Sequence, residues 1–118
     1  MVKKQKIPLV FYRLASGHEP VREFLKSLPL PDRKAAGDDI LAAQWKFPVG
    51  MPLCRAMGNG LYEVRTDLPS RRIARTFIMH HRGRLVALHA FIKKTQKTPE
   101  ADLKLAQKRK QEIEHEKE

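Results

Sequence analysis

Apolar residues recur along this chain at two spacings, and the spacing changes from one segment to the next. Residues 8–13 are largely apolar with aromatic and β-branched members, which predicts a first strand. Apolar residues then fall at helical spacing from Pro20 to Leu28, and again from Asp32, the predicted N-cap of a second helix, to about Lys46. The apolar stripe of this second helix consists of Ala36, Ile40, Ala43 and Phe47, with Leu41 and Trp45 beside it.

The second half of the chain alternates as strands do. Residues 61–65 follow a Gly58-Asn59-Gly60 turn, which is a strong hairpin signal, and residues 53–57 before the turn are a short additional strand. Two longer strands are predicted at 73–80 and 85–92. This half of the chain therefore predicts a sheet of consecutive strands.

A last helix has a distinct start. Thr98 is its predicted N-cap, Pro99 lies in the first turn, and Glu100 and Asp102 face the positive end of the helix. Its buried stripe is predicted to be Leu103, Ala106 and Ile113. We expect the chain to fray after about residue 113.

The order β-α-α-β-β-β-α predicts an α+β fold, a small antiparallel sheet with two N-terminal helices and one C-terminal helix. Packing the helices on one face is the simplest way to bury the apolar stripes. The 118 residues are enough for one core and contain no repeat or linker, so residues 1–118 are predicted to be a single domain.

The charge of the chain indicates which kinds of partner it binds. The net charge is +11, and residues 1–96 hold all of this excess because basic and acidic residues balance from Lys97 onward. Such a positive field favours polyanions, although a basic surface can also serve solubility alone. The apolar runs are too short for a membrane span or a signal-peptide core, and the single cysteine fits a reducing compartment. We expect a cytoplasmic protein with no membrane partner.

Several local runs resemble the RelE/ParE toxin superfamily, and most of all its phage-derived, HigB-like branch. The most specific run is Phe91-Ile92-Lys93-Lys94-Thr95-Gln96-Lys97-Thr98-Pro99. It is supported by Gly58-Asn59-Gly60-Leu61-Tyr62-Glu63-Val64-Arg65, by Arg72-Ile73-Ala74-Arg75, by His89-Ala90 and by Gly17-His18-Glu19-Pro20-Val21. The resemblance covers nearly the whole chain.

The resemblance implies a curved RelE-like sheet and the toxin of a type II toxin–antitoxin pair, acting as a ribosome-dependent mRNA interferase without cofactor. Its implied partners are mRNA, the ribosome and a cognate antitoxin, expected to be a helix-turn-helix protein. Operator DNA would be bound only through the antitoxin complex. Two alternatives stay open, because fold alone does not decide function. One is a ParE-like toxin that inhibits gyrase, and the other is a non-catalytic relative that binds only antitoxin or nucleic acid.

Strand alternation sorts the candidate residues by face. On the last strand it groups Val86, Leu88, Ala90 and Ile92 on the core side. One consistent arrangement gathers Arg65, Arg75, His89, Phe91 and Lys93 on a face not covered by helices. Metal-free RNA cleavage needs a base, cations for the phosphorane and an acid, and a basic face with an aromatic for base stacking fits that need.

The candidate catalytic residues are Arg65, Lys93, Lys94, Glu63 and His89. The candidate RNA-binding residues are Arg55, Arg75, Phe91 and Lys97. Arg65, Lys93 and Lys94 match basic positions that RelE-like toxins use on phosphate. Some of those toxins carry a tyrosine on the last helix, which this chain lacks, so the general base is not identified.

Each candidate has a structural alternative. Glu63 is equally suited to an ion pair with an arginine, and His89 to packing in the sheet. Cys54 is predicted to be a buried small residue, and Trp45 a core residue. The Lys108-Arg109-Lys110 run is predicted to be solvated, and the scattered histidines predict no metal site.

Overall fold

The computed structural model describes residues 5–94 and 98–116 and confirms the α+β class. Its elements are β1 (Leu9–Phe11), α1 (Pro20–Ser27), α2 (Leu30–Lys46), β2 (Cys54–Gly58), β3 (Leu61–Asp67), β4 (Ile73–His81), β5 (Arg84–Lys93) and α3 (Glu100–Glu114). The short segment before the hairpin is a strand, so the described residues form a five-stranded sheet. Within them, no helix is long and apolar enough to cross a membrane.

The sheet has the strand order β1-β5-β4-β3-β2. Strands β2 to β5 form a continuous antiparallel meander, whereas the edge strand β1 pairs in parallel with β5. The predicted hairpin turn is confirmed, since Asn59 and Gly60 lie in the left-handed region at φ values of 54° and 83°. Helices α1 and α2 lie in the chain between β1 and the meander. This long connection allows β1 to pair in parallel with β5.

Helices α1 and α2 cover one face of the sheet with an apolar core. The predicted stripe of α2 is confirmed, because Ala36, Ile40 and Ala43 are buried. Cys54 lies in this core, as predicted for a small apolar residue. The α2 residue Trp45 does not, because 46% of it is exposed, so its prediction as a core residue is wrong. It lies on the flank of α2 that turns away from the sheet.

Helix α3 covers the opposite face, so the prediction that all helices pack on one face is wrong. Its predicted stripe packs there, with Ala106 fully buried between Leu103 and Ile113. The sheet residues beneath it are Leu61, Phe77, Met79, Val86, Leu88 and Phe91. Both faces of β4 and β5 are apolar over part of their length, which requires a helical layer on each side.

Two predicted helix caps have other roles. Helix α2 begins at Leu30, and the Asp32 carboxylate accepts hydrogen bonds from Ser70 N and Arg72 Nη2, both at 3.1 Å. Helix α3 begins at Glu100 without a side-chain cap, and Thr98 donates its hydroxyl to Glu63 instead. In each case a polar side chain at a helix start is used for a tertiary contact with the sheet or its loops.

Candidate active site

The candidate residues lie in consecutive rows on the α3 face of the sheet. In the first row Glu63 lies opposite Phe77, which lies opposite His89. In the second row Arg65 lies opposite Arg75, which lies opposite Phe91. In the third row Asp67 lies opposite Ile73, which lies opposite Lys93. The register of three strands therefore brings Glu63, Arg65, Arg75 and Lys93 together, and we call these four residues the charged cluster.

A buried ion pair forms the centre of the charged cluster. Glu63 and Arg75 are 1% and 3% exposed, and Glu63 Oε1 lies 3.5 Å from Arg75 Nε. That distance is an ion pair rather than a good hydrogen bond, and Arg75 Nε has no hydrogen-bond partner among the described residues. Arg75 also donates from Nη1 to the carbonyl of Ala74 at 3.0 Å, and Glu63 Oε2 accepts from Thr98 Oγ1 at 3.0 Å. Both charges are thus fixed in place.

Arg65 and Arg75 share a pocket that opens to solvent. The pocket has a volume of about 180 Å³ and is lined by Pro52, Arg65, Asp67 and Arg75. Arg65 is half-buried and its Nη1 lies 3.2 Å from the sulfur of Met51. Two guanidinium groups at one pocket are a favourable arrangement for an anion with several oxygens.

Burial, followed by repulsion from neighbouring cations, lowers the pKa of two members of the charged cluster. Burial, Arg75 and then Arg65 and Arg55 lower the pKa of Lys93, while Glu63 raises it. Burial and then Arg65 lower the pKa of Arg75, against the opposing effect of Glu63 and Asp67. Glu63 and the neighbouring Asp67 supply two negative charges against the three cations of the cluster and the nearby Arg55, so positive charge remains in excess and an anion bound there would relieve the repulsion.

His89 is held by helix α3 and by two aromatic rings. Its Nε2 lies 2.5 Å from Asp102 Oδ1, and its side chain is 15% exposed. The ring stacks against Phe77 and Phe91, with centroid distances of 6.4 and 5.7 Å. A carboxylate on one ring nitrogen fixes the orientation and tautomer of an imidazole, as required for proton transfer.

The other candidates lie around the cluster or outside it. Arg55 is exposed and lies opposite Glu63 in the β2–β3 register, and Lys94 is exposed directly after β5. Phe91 is only 9% exposed and packs under α3, so the expectation of an open aromatic face is wrong. Lys97 lies outside the described residues.

Sequence reasoning missed the partners that α3 and the residues just before it supply. The sequence predicts Thr98 and Asp102 to act at the start of the helix, whereas in the structure Thr98 contacts Glu63 and Asp102 contacts His89. Arg109 and Lys110 are each 9% exposed, so the prediction of a solvated Lys108-Arg109-Lys110 run is wrong. The signal was present, since both residues lie one turn from Ala106 on its buried stripe.

The remaining nucleophiles and acids have structural surroundings. Burial, with a contribution from Asp39, raises the pKa of the Cys54 thiol to about 11, so it is not a thiolate near neutral pH. Tyr12 donates its hydroxyl to Glu112, and this bond together with burial raises the pKa of the phenol. His80 stacks on Phe47 at a centroid distance of 5.8 Å. Among the described residues no group of three or more histidine, cysteine or acidic side chains could hold a metal ion.

A comparison of the sequence with family models finds a known family. The model described as "Phage derived protein Gp49-like (DUF891)" matches residues 23–111, which is 89 of the 118 residues and includes the whole charged cluster. A comparison with curated proteins found no match. The matched range runs from α1 into α3, so it covers both helical layers and four of the five strands. The chain therefore belongs to the Gp49-like family of phage-derived proteins, which is part of the RelE/HigB-like group of toxins.

Proposed function

We propose that this protein is the toxin of a type II toxin–antitoxin pair, of the HigB-like branch, and that it cleaves mRNA on the ribosome. The observation that carries the proposal is the charged cluster, in which Arg65 and Arg75 line one solvent-open pocket with Lys93 in the next row. Membership of a family associated with such toxins supports it.

The cleavage we propose needs no metal. A base takes the proton of the ribose 2′-hydroxyl, whose oxygen attacks the adjacent phosphorus. The bond from phosphorus to the 5′-oxygen breaks and an acid protonates that oxygen, which leaves a 2′,3′-cyclic phosphate and a 5′-hydroxyl. The phosphorane between them carries more negative charge than the ground state, so cations fixed in advance lower the barrier. Arg65 and Arg75 are assigned this electrostatic role, because guanidinium groups grip phosphate oxygens in pairs.

Proton transfer is assigned to Lys93 first. Burial and then the neighbouring Arg75 lower its pKa, which makes the ammonium group a better proton donor to the leaving 5′-oxygen. His89 is the second candidate, because Asp102 orients its ring. Glu63 is engaged by Arg75 and Thr98, which favours an orienting role over that of a free base.

The exposed cations around the cluster are assigned to the RNA backbone. Arg55 and Lys94 are exposed near the cluster, and Lys97 follows in the same basic run. Phosphate contacts of this kind make binding salt-dependent, with a log–log slope of about −0.7 per contact for a single strand. A binding curve that is flat with salt would count against an electrostatic RNA site.

The decisive experiment is brief expression of the chain in bacteria, followed by mapping of new mRNA 5′ ends. We expect growth arrest and new ends within translated regions. DNA breaks without new mRNA ends would identify the gyrase-inhibiting alternative instead. If expression causes no growth arrest and produces no new mRNA ends, the result would favour the non-catalytic relative.

Arg65→Ala tests the site itself. We expect cleavage to fall on the order of 10²–10³-fold, comparable to losing one oxyanion donor, with the melting temperature retained. Arg65→Lys should recover little, because a point charge does not reproduce a paired grip. The matched control is Arg84→Ala, which also removes one guanidinium charge. Arg84 is exposed at the first position of β5, at the end of that strand away from Lys93. Equal cleavage by the Arg65 and Arg84 variants would contradict the assignment.

The proposed partner is an antitoxin encoded nearby, a helix-turn-helix protein that would also bind operator DNA. An acidic segment of that antitoxin should cover the charged cluster, because the chain carries a net charge of +11. Ribosome-dependent action would place the protein in the cytoplasm. A complex that leaves Arg65 and Lys93 open would contradict this part of the proposal.

A further inference from the structure

A β-bulge divides β5 into two halves that face opposite ways. His89 pairs with Phe77, but the next pair is Ile78 with Ala87, so Leu88 is an extra residue in β5. Leu88 and His89 are consecutive, yet Leu88 packs under α3 and His89 contacts Asp102 of α3. The bulge therefore delivers His89 and Lys93 to the α3 face, while Leu85 and Ala87 pack under α1 and α2.

The carbonyl group at the bulge is held by a side chain of α3. Regular pairing with β1 reaches Ala87, whose carbonyl accepts from Tyr12 N at 2.9 Å. The next carbonyl, that of Leu88, accepts from Arg109 Nη1 at 2.8 Å. A bulged residue leaves the regular ladder, and its buried polar groups need other partners. Arg109 supplies one for Leu88.

Arg109 is itself fixed from a second side. Its guanidinium carbon lies 4.9 Å from the centre of the Tyr12 ring, and Arg109 is only 9% exposed. The Tyr12 hydroxyl donates to Glu112, one turn further along α3. The contacts of Arg109 thus join α3 to the bulge and to the residue that follows the edge strand β1. A buried cation with a fixed donor position is suited to holding one backbone geometry.

We propose that Arg109 is a positioning residue of the cleavage site. By holding the Leu88 carbonyl it keeps the bulge in place, and the bulge sets the position of His89 against Asp102 and of Lys93 in the charged cluster. Arg109 touches neither the pocket of Arg65 and Arg75 nor any member of the cluster in a described contact, so it acts through the backbone of β5. The kinetic part of this inference rests on the proposed function.

The test compares three variants of the full chain. Arg109→Met removes the donor and keeps an unbranched side chain, and Arg109→Lys keeps a charge and one donor. Lys108→Met is the matched control, because it removes one charge from the exposed neighbouring position of α3. For each variant we would measure kcat and KM for mRNA cleavage, the melting temperature, and the NMR resonances of the His89 imidazole.

We expect Arg109→Met to lower kcat by up to about 10²-fold, as small misplacements of reacting groups do, with little change in KM. The His89 resonances should shift, Arg109→Lys should lie between this variant and the wild type, and Lys108→Met should match the wild type. A folded Arg109→Met with wild-type kcat and unshifted His89 resonances would overturn the proposal. If Arg109→Met does not fold, Arg109→Lys decides, since a lowered kcat in a folded protein supports the proposal and a wild-type kcat overturns it.

Failure of the proposed function is distinguishable from failure of this inference. A wild-type protein that cleaves no RNA would reject the function but leave the NMR comparison intact. In that case a shift of the His89 resonances in Arg109→Met, absent in Lys108→Met, would still support the positioning role. Unshifted resonances would reject it.

Discussion

The two faces of the sheet are built from the same strands but bury different kinds of group. Beneath α1 and α2 the buried residues of β3 to β5 are mostly apolar, as at Val64, Ile78 and Ala87. Beneath α3 an apolar half around Phe77 adjoins a charged half in which Glu63 and Arg75 are equally inaccessible. A face that buries only apolar groups gains stability from each of them, whereas buried charges are expensive unless they are paired.

The difference between the two faces supports the site assigned under the proposed function. A buried ion pair contributes little net stability compared with well-packed apolar residues, so the Glu63–Arg75 pair is poorly explained by folding alone. Its geometry instead presents Arg75 to a pocket shared with Arg65. Under the proposed function, the α1/α2 face supports the sheet and the α3 face holds the groups that act on the RNA phosphate.

The largest effect should follow from breaking the ion pair on the α3 face. Glu63→Ala leaves Arg75 buried without its counterion and should lower the free energy of unfolding by about 3–5 kcal/mol. Urea denaturation would measure this loss. Glu63→Ala combined with Arg75→Met should recover a large part of the stability but none of the cleavage. If the double variant is no more stable than Glu63→Ala, the pair is not coupled as the structure indicates.

A cavity in the core beneath α1 and α2 should lower the stability of the protein without lowering its rate of RNA cleavage. Ile78 is 1% exposed and packs under α1 and α2, so Ile78→Ala should lower the free energy of unfolding by about 2–5 kcal/mol. The folded fraction should cleave RNA at the wild-type rate, measured well below the melting temperature. Ile78→Val is the milder variant, at about 0.5–1.5 kcal/mol. A specific loss of cleavage in folded Ile78→Val would show that the two faces are not separable.

The sequence predicted the elements well because most of them have one clear periodicity. It failed on the facing of β5, where Leu85, Val86, Ala87 and Leu88 form a run that is apolar at every position. In such a run either set of alternate residues could face a given side of the sheet. Strict alternation continued back from Ala90 and Ile92 therefore assigned Val86 and Leu88 to the wrong face. The extra residue at the bulge is set by tertiary contacts, among them the bond from Arg109.

The sequence predicted which residues form the candidate site better than it predicted how deeply they are buried. Arg65, Arg75, His89 and Lys93 do share one face, because they lie on strands whose register follows from two short turns. Their burial depends on where α3 packs, and a charged run such as Lys108-Arg109-Lys110 conceals how much of that helix is covered. Long basic side chains can bury their stems on a helix that appears polar in sequence.

Protonation of Asp32 should give a smaller effect, visible in acid. Hydrogen bonds from Ser70 and then the neighbouring Arg72 lower the pKa of this carboxyl below its ordinary value of 3.8, against an opposing effect of burial. The folded state therefore binds the proton less tightly than the unfolded state. The stabilisation is complete above the ordinary pKa and is lost as the pH falls through the lower pKa of the folded state.

Asp32→Asn should accordingly be less stable than the wild type at neutral pH, and the difference should shrink in acid. Melting temperatures from pH 7 downward would measure it, with Asp38→Asn, an exposed residue of the same helix, as the control. A difference that stays constant through the acid range would contradict the linkage to this carboxyl.

Asp39 lies seven residues further along α2 and should behave in the opposite way, with the smallest effect. Burial, with smaller contributions from Asp38 and Asp67, raises the pKa of its carboxyl above 3.8, although a hydrogen bond with Thr66 opposes the shift. The folded state then binds the proton more tightly than the unfolded state, so ionisation of Asp39 weakens the fold. That part of the stability is present below the ordinary pKa and is lost as the pH rises through the raised pKa.

The variant Asp39→Asn is uncharged at this position at every pH, and its amide can still form a hydrogen bond with Thr66. At neutral pH the variant should therefore be as stable as the wild type or slightly more stable. This difference in stability should vanish in acid, where both proteins are neutral at this position. Melting curves of the two proteins at neutral and acid pH would test this, and a variant less stable than the wild type at neutral pH would show that the ionised carboxylate supports the contact between α2 and β3.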